Sequence, residues 1–186
     1  MKLKSVISIL FLAVITFSSM GCKKKPDLVG RWQLTGYEQT TYWGYDVPRR
    51  PVDTTIYTLN NHTLLLYDRG KPKINKGTIW MQLNIAASDS ITINQVSSEP
   101  GYNPQSATYK GSYTLSENSS GKKIDFQNLW GSFLFFGNTP FFNIYPFTYT
   151  VETLTDDKLA LRFYQNSPEG PDYIAENDCR FTFTRY

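Results

Sequence analysis

Residues 28–38 read Leu-Val-Gly-Arg-Trp-Gln-Leu-Thr-Gly-Tyr-Glu, and this stretch decides the fold that we predict for the chain. After Gly30 the apolar and polar side chains alternate, so that Trp32 and Leu34 share one face of an extended backbone. A repeat of two residues with a single apolar face predicts a half-buried β-strand. We expect this strand to open an all-β domain and to set the direction of the strands that follow.

The same alternation recurs along the chain in short runs that end at Asn, Asp, Gly, Ser or Pro, and helical spacing is nearly absent. Ile79, Met81 and Leu83 illustrate the apolar face of one run. Because each run has one apolar and one polar face, the pattern favours an antiparallel sheet around a single core. We predict ten strands, at residues 29–38, 54–59, 63–68, 76–86, 90–97, 108–116, 123–128, 146–154, 158–164 and 179–186.

The connections between these strands alternate in length. The short ones are 60–62, 87–89, 117–122 and 155–157, and the long ones are 39–53, 69–75, 98–107, 129–145 and 165–178. In an up-and-down meander, successive connections fall at opposite ends of the sheet. The alternation therefore predicts a closed antiparallel meander barrel of 8–10 strands, with all short turns at a tight end and all long loops at an elaborated mouth.

The N-terminus has the features of an export signal. Lys2 and Lys4 precede an apolar run at residues 6–17 that is too short to span a bilayer. Gly21 directly before Cys22 resembles the lipobox of bacterial lipoproteins. The resemblance implies that residues 1–21 are a signal peptide, that Cys22 is acylated on its sulfur, and that residues 22–27 form a short tether. The alternative is a plain secretory leader with an incidental cysteine.

The charge balance gives no indication of nucleic-acid binding. Removing residues 1–21 takes away Lys2 and Lys4 and no acid, so the formal net charge of +3 falls to +1, and no nucleic-acid motif is present. The run of three lysines at residues 23–25 follows the acylation position, where it would face anionic lipid headgroups. It lacks the acidic residues that direct some Bacteroidetes-type lipoproteins to the cell surface. The resemblance therefore implies a bacterial envelope protein, lipid-anchored in the outer membrane and facing the periplasm.

A Gly-x-Trp at the start of the first strand, an all-β meander and a lipoprotein leader together resemble the lipocalin-like lipoproteins of the calycin superfamily. The resemblance covers residues 28–186 as one barrel domain. It implies that the tryptophan plugs the closed end of the barrel and that an arginine near the chain's end packs over it. On this chain the three positions are Gly30, Trp32 and Arg185.

The inventory of reactive side chains is small. His62 is the one histidine and lies in a predicted turn, and acylation of Cys22 would leave Cys179 as a lone thiol that we expect in the core. A catalytic triad or a zinc site needs several such groups in one place. The acids of the last long loop lack the spacing of a calcium loop. We therefore predict no catalytic residue, no metal and no cofactor, and we do not expect an enzyme.

Aromatic side chains are concentrated in two of the long connections, 39–53 and 129–145, which would share the mouth. We predict that they contact a ligand there. The alternatives are that the segment 129–145 packs the core or forms a patch for a protein partner. The candidate ligand-binding residues are Tyr42, Trp43, Tyr45, Trp130, Phe135, Phe136, Phe141 and Phe142.

The sequence thus predicts a membrane-anchored lipocalin-like lipoprotein that binds a small hydrophobic or amphipathic ligand without catalysis. Its N-terminal lipid would be its link to the membrane, and it would bind no nucleic acid. One alternative is a structural or protein-interaction module of the envelope that uses the aromatic loops, with the partner unknown. An envelope enzyme on the same scaffold is another. A transmembrane barrel is disfavoured, because several predicted strands are too short to cross a bilayer.

Overall fold

The computed structural model describes the backbone of residues 27–45, 53–60, 62–68, 71–129, 132, 147–168 and 173–186. Side chains are described for residues 27–40, 62–65, 76–129, 132, 148–165 and 177–186. Within these ranges there is no helix of the length and hydropathy that a membrane crossing requires.

The described residues form ten antiparallel strands in one closed barrel, and each strand pairs with the next along the chain. The last strand closes the ring against the first. The predicted all-β meander barrel is therefore confirmed. The strands are β1 Gly30–Tyr45, β2 Asp53–Asn60, β3 Thr63–Asp68, β4 Lys71–Ile85, β5 Ser90–Ser98, β6 Gln105–Asn118, β7 Gly121–Gln127, β8 Phe147–Leu154, β9 Lys158–Pro168 and β10 Tyr173–Arg185.

The hairpin β2–β3 explains why the sequence is compatible with either eight or ten strands. Near its start, β1 pairs directly with β4, through residues 30–33 and 82–85, so that the ring there closes with eight strands. Farther along, residues 38–43 of β1 pair with β2, and residues 71–78 of β4 pair with β3. The hairpin is thus inserted into the wall where β1 and β4 diverge.

The turn of this hairpin lies at the fork between β1 and β4. His62 occupies it with a φ of 63°, and its carbonyl accepts a hydrogen bond of 2.7 Å from the Ile79 amide. The prediction that His62 is a turn residue is confirmed. The prediction that the connection 60–62 joins the other short turns at the tight end is wrong, because the hairpin stops partway along the barrel.

Several strands extend beyond their predicted ends, and this corrects the predicted loop lengths. β4 begins at Lys71, and β9 and β10 reach Pro168 and Tyr173, so that the supposed long loops 69–75 and 165–178 shrink to residues 69–70 and 169–172. The regular alternation of long and short connections is therefore wrong at these two places. The strands continue because backbone pairing persists after the apolar alternation ends.

The opposite side of the wall is built differently. On β6, only residues 112–118 pair with β7, and on β9, only residues 159–162 pair with β8. In the part of the chain that the structure describes, residues 105–111 of β6 therefore pair on one side only, with β5, and residues 163–168 of β9 pair only with β10. These two strand edges flank the place where the chain leaves β7 and enters β8.

The core fills one half of the barrel, which we call the apolar half. Buried inward-facing side chains of β1 and of β4 to β10 line it, and several of their aromatic rings contact each other. The centroid of the Tyr149 ring lies 5.5 Å from that of Phe126 and 5.9 Å from that of Phe181. Edge-to-face and tilted contacts at these separations are favourable and add to the burial of apolar area.

Candidate functional site

The closed end of the apolar half is occupied by Trp32 and Arg185, which are register partners on β1 and β10. Trp32 is fully buried, and its indole Nε1 donates a 2.8 Å hydrogen bond to the carbonyl of Leu28. The guanidinium carbon of Arg185 lies 4.3 Å from the centroid of the indole ring, a cation–π distance. Arg185 also donates through Nη1 to the carbonyl of Val29, at 2.9 Å, and through Nη2 to that of Asp27.

Gly30 makes this close approach possible. A Cβ atom built at this position would lie 2.5 Å from Nη1 of Arg185, and the backbone φ of +148° lies in a region that L side chains rarely adopt. The structure thus brings together all three residues that the sequence singled out for the closed end. Trp32 donates to the carbonyl of Leu28, and Arg185 donates to the carbonyls of Val29 and Asp27 while its guanidinium covers the indole ring. The arrangement is that of a structural plug.

Beyond the apolar half, the inward positions change in chemistry. On β5 the buried positions run Ile91, Ile93 and then Gln95, and on β9 Phe163 is followed by Gln165. β10 and β1 change in the same way. We call this set of inward-facing carboxamides the amide layer; it consists of Gln39, Gln95, Gln165 and Asn177, each no more than 8 % exposed.

Hydrogen bonds connect part of the amide layer to its neighbours. The hydroxyl of Tyr37 donates to Oε1 of Gln39 at 2.6 Å, and Nε2 of Gln39 donates to Oδ1 of Asn177 at 3.0 Å. The same Oδ1 accepts a bond from the Cys179 thiol at 3.5 Å. A satisfied polar network in a low-dielectric interior fixes the orientation of its members. These side chains are therefore held in one arrangement at the boundary of the core.

Cys179 is buried, as the alternation along β10 predicted, and it forms no disulfide within the described residues. Burial raises the pKa of its thiol to about 12, since the thiolate would lose its hydration. A thiol that stays protonated at neutral pH is a poor nucleophile. Cys179 therefore behaves as a core residue that donates a weak hydrogen bond to Asn177.

Gln165 differs from the other members of the layer. Its Cα lies opposite that of Asn177 in the β9–β10 register, which places the two inward side chains next to each other. Its Oε1 is buried and has no hydrogen-bond partner among the residues that the structure describes. A buried carboxamide oxygen without a donor costs stability, so this atom is available to a donor from outside the described set.

The segment after β7 begins by turning inward. Asn128 has a φ of 61°, Leu129 and Ser132 are fully buried, and the Ser132 amide donates to the Leu129 carbonyl at 3.3 Å. A Cβ built on Gly111 would lie 2.9 Å from the Leu129 side chain, so glycine at that position lets Leu129 pack against the inner face of β6. The described start of the predicted aromatic loop is therefore part of the core.

The structure describes only part of the predicted aromatic site. Tyr42, Trp43 and Tyr45 lie on β1, where they pair through the backbone with β10, and not in a loop as predicted. The strand continues because residues 173–176 extend β10 beside it. The remaining candidates, together with the acylation position, lie outside the described residues; they are Cys22, Trp130, Phe135, Phe136, Phe141 and Phe142.

The outer wall carries one cluster of charges. Arg162 on β9 holds Asp178 on β10 with two hydrogen bonds of 2.8 and 2.9 Å, and Glu152 and Arg180 extend the cluster at 3.7–3.9 Å. The hydrogen bond that Arg162 donates to Asp178 is the main reason that the pKa of Arg162 is raised. The cluster is partly exposed and ties strands together. Across the described residues, no three His, Cys, Asp or Glu side chains converge as metal ligands would.

Sequence reasoning did not identify the amide layer. The available signal was an amide that takes the next inward position after an apolar alternation, as in Ile91-x-Ile93-x-Gln95 and Leu161-x-Phe163-x-Gln165. Gln95 was placed inside the predicted strand 90–97 without being recognised as part of a polar layer, and Gln165 was placed just past the end of the predicted strand 158–164. Backbone pairing carries both strands past these positions. Comparison of the chain with protein-family models, with curated protein sequences and with solved structures gives no match.

Proposed function

We propose that this protein is a membrane-anchored, lipocalin-like lipoprotein that binds a small amphipathic ligand at the amide layer, without catalysis. The observation that carries the proposal is the division of the interior. Between the level of Trp32 at the closed end and the level of Phe163, the inward positions are filled by core side chains. Beyond that level, four buried carboxamides face the inside of the barrel. Barrels of this size accommodate a small ligand where side chains do not fill them.

Binding is favoured over catalysis by the chemistry of the described interior. Its buried polar side chains are carboxamides and a serine, which hydrogen-bond without exchanging protons at neutral pH. The one thiol has its pKa raised to about 12. General acid–base chemistry needs a group whose pKa lies near the working pH. These side chains can orient a ligand and cannot supply such a group.

The proposed location rests on the leader and on the position of the first strand. Residues 22–27 would tether the barrel within at most about 20 Å of an acyl chain on Cys22. Because β1 starts at the plugged end, the closed end would face the membrane. The amide layer would then face away from the membrane, toward the periplasm.

The first test is native mass spectrometry of the barrel purified without detergent from producing cells. The ten described strands close on themselves within residues 27–186, so a chain that lacks residues 1–21 and carries Cys22→Ser contains them all. We expect a co-purifying mass of lipid size, released by organic solvent. A barrel without bound mass, which also binds no added amphiphile, would contradict the proposal.

The candidate aromatic residues are tested together by replacing Phe135, Phe136, Phe141 and Phe142 with Ser. Loss of ligand with an intact β-sheet circular dichroism spectrum is the result that we expect if they line the mouth. Unfolding would assign them to the core. Retained ligand together with loss of a co-purifying protein would instead favour the interaction module.

A further inference from the structure

We propose that the amide layer selects an uncharged head group that donates hydrogen bonds through hydroxyl or amide N–H groups. The ligand would then be a neutral amphiphile, such as an acylglycerol or a glycoside, and not a fatty-acid anion or a phosphate ester. This inference rests on the proposed function and specifies the ligand class.

Gln39, Asn177 and Gln165 lie on β1, β10 and β9, which are neighbours in the wall. Asn177 faces Gln165 in the register, and Gln39 bonds to Asn177 at 3.0 Å. All three are more than nine-tenths buried. They form a continuous polar surface next to Tyr37, Phe163 and Cys179, which hold the preceding inward positions on the same three strands.

The direction of the hydrogen bonds sets what this surface lacks. Oε1 of Gln39 accepts from the Tyr37 hydroxyl, and Oδ1 of Asn177 accepts from Gln39 and from the Cys179 thiol. Oε1 of Gln165 is the buried acceptor for which the described residues provide no donor. Because a carboxamide oxygen can only accept, its partner on a ligand must be a donor.

The charge of the surroundings sets the second requirement. The buried polar residues of the described interior include no charged side chain, and Cys179 stays protonated. A carboxylate or phosphate brought against Oε1 of Gln165 would lose its hydration, and the described interior provides no cation to replace that hydration. A cationic head would find no carboxylate among the described buried side chains. An uncharged donor satisfies Gln165 without either cost.

The experiment compares five probes that share a dodecyl chain and differ in the head group. Monolauroylglycerol and dodecyl maltoside are neutral donors, laurate and dodecyl phosphate are anions, and dodecyltrimethylammonium is a cation. Each is titrated below its micelle concentration into the Cys22→Ser barrel by isothermal calorimetry. We expect the better neutral probe to bind at least about tenfold more tightly than any charged one, as a lost or unpaired buried hydrogen bond implies.

The variant Gln165→Leu removes the acceptor at nearly constant size. We expect it to weaken the neutral probe about tenfold and to leave the charged probes unchanged. Gln127→Leu is the matched control, since Gln127 is exposed on the outside of β7 and its replacement should change no affinity. Gln165→Met serves as a second apolar variant, and the head-group series on the unmodified barrel does not depend on either variant folding.

The outcomes separate the two proposals. Anions that bind as tightly as neutral probes, or a neutral affinity that Gln165→Leu leaves unchanged, would overturn the head-group inference while ligand binding itself stands. Failure of all five probes to bind would overturn both. If the inference holds, tighter monolauroylglycerol points to an acylglycerol, and tighter dodecyl maltoside points to a glycoside.

Discussion

The two halves of this barrel share strands and backbone pairing but differ in what occupies their inward positions. In the apolar half, Trp32 is sealed by Arg185, and the rings of Tyr149 and Phe181 pack against each other. In the other half, which contains the amide layer and which we call the amide half, the same alternation places carboxamides such as Gln165 inside. The difference teaches that a continuous strand can carry an apolar core in one part and a buried polar layer in another, where we propose that a ligand is recognised.

The largest effect should follow from Trp32→Ala. Removing a fully buried indole deletes its packing, its hydrogen bond to Leu28 and the surface on which Arg185 rests. We expect a loss of about 3–5 kcal/mol in the free energy of unfolding, measured by urea denaturation. Trp80→Ala is the control, because Trp80 lies on β4 and is only partly buried. Equal losses from the two variants would argue against a plug at Trp32.

Gly30→Ala should be the next most damaging change. The added methyl group would lie 2.5 Å from Nη1 of Arg185, at a φ of +148°. We expect about 2–3 kcal/mol of destabilisation in the same assay, from strain and displacement of the arginine. Gly121→Ala measures the cost of backbone strain alone, since φ is +109° there but no atom of the described residues, apart from the adjacent ones, would lie within 4 Å of the added Cβ. If Gly121→Ala lowers the free energy of unfolding as much as Gly30→Ala does, the contact with Arg185 is unimportant.

The buried thiol predicts a pH dependence that the amide-layer residues, which do not titrate, cannot produce. Its pKa rises from 9.0 to about 12 on burial, so the unfolded chain loses this proton first as pH increases. Stability should therefore be unaffected by this group below pH 9.0 and should fall by about 1.4 kcal/mol per pH unit above it.

Urea denaturation from about pH 8 to about pH 11, on the wild type and on Cys179→Ala, isolates this contribution from other groups that titrate there. We expect the difference in stability between the two proteins to shrink as pH rises. A constant difference would mean that the folded thiol ionises at its ordinary pKa.

A smaller effect is expected on the outer wall. Asp178→Asn removes one partner of the two-bond ion pair with Arg162, whose side chain is 35 % exposed. Because water screens such pairs, we expect at most about 1 kcal/mol of destabilisation, reduced further by salt. Glu117→Gln, whose pair with Lys122 spans 4.0 Å, should change stability less. A larger loss for Asp178→Asn, insensitive to salt, would make the wall cluster part of the stabilising core.

The smallest change in stability should come from Gln165→Leu, although it has the largest expected effect on binding. Replacing a buried acceptor that lacks a donor with an apolar group should leave the free energy of unfolding within about 1 kcal/mol of the wild type. Urea denaturation measures this directly. A loss comparable to that of Trp32→Ala would show that the amide half is as structural as the apolar half.

The apolar half was predictable from the sequence because burial there enforces a period of two. Trp32 and Leu34 follow it on β1, as do Phe181 and Phe183 on β10, and so the all-β closed barrel was predicted correctly, although several strand ends were not. The pairing of Arg185 with Trp32 could be anticipated since the ends of an antiparallel ring meet there. No such regularity marks the fork between β1 and β4, which depends on which edges pair in space.

The amide half was missed for a physical reason. Gln39 and Asn177 occupy inward positions but are polar, so that the alternation seemed to end at residue 38 on β1 and to begin at residue 179 on β10. The structure extends both strands through these residues. The shortened connections at 69–70 and 169–172 have the same origin, since loops were inferred wherever the apolar pattern stopped.

Hydrogen exchange, followed with and without saturating monolauroylglycerol, tests the division of the barrel most directly. We predict slower exchange on binding in peptides that cover residues 37–41, 163–168 and 175–179, which surround the amide layer. Peptides that cover residues 30–34 and 181–185, around Trp32, should be unchanged. Protection confined to the closed end, or to the outer wall around Arg162, would contradict the account.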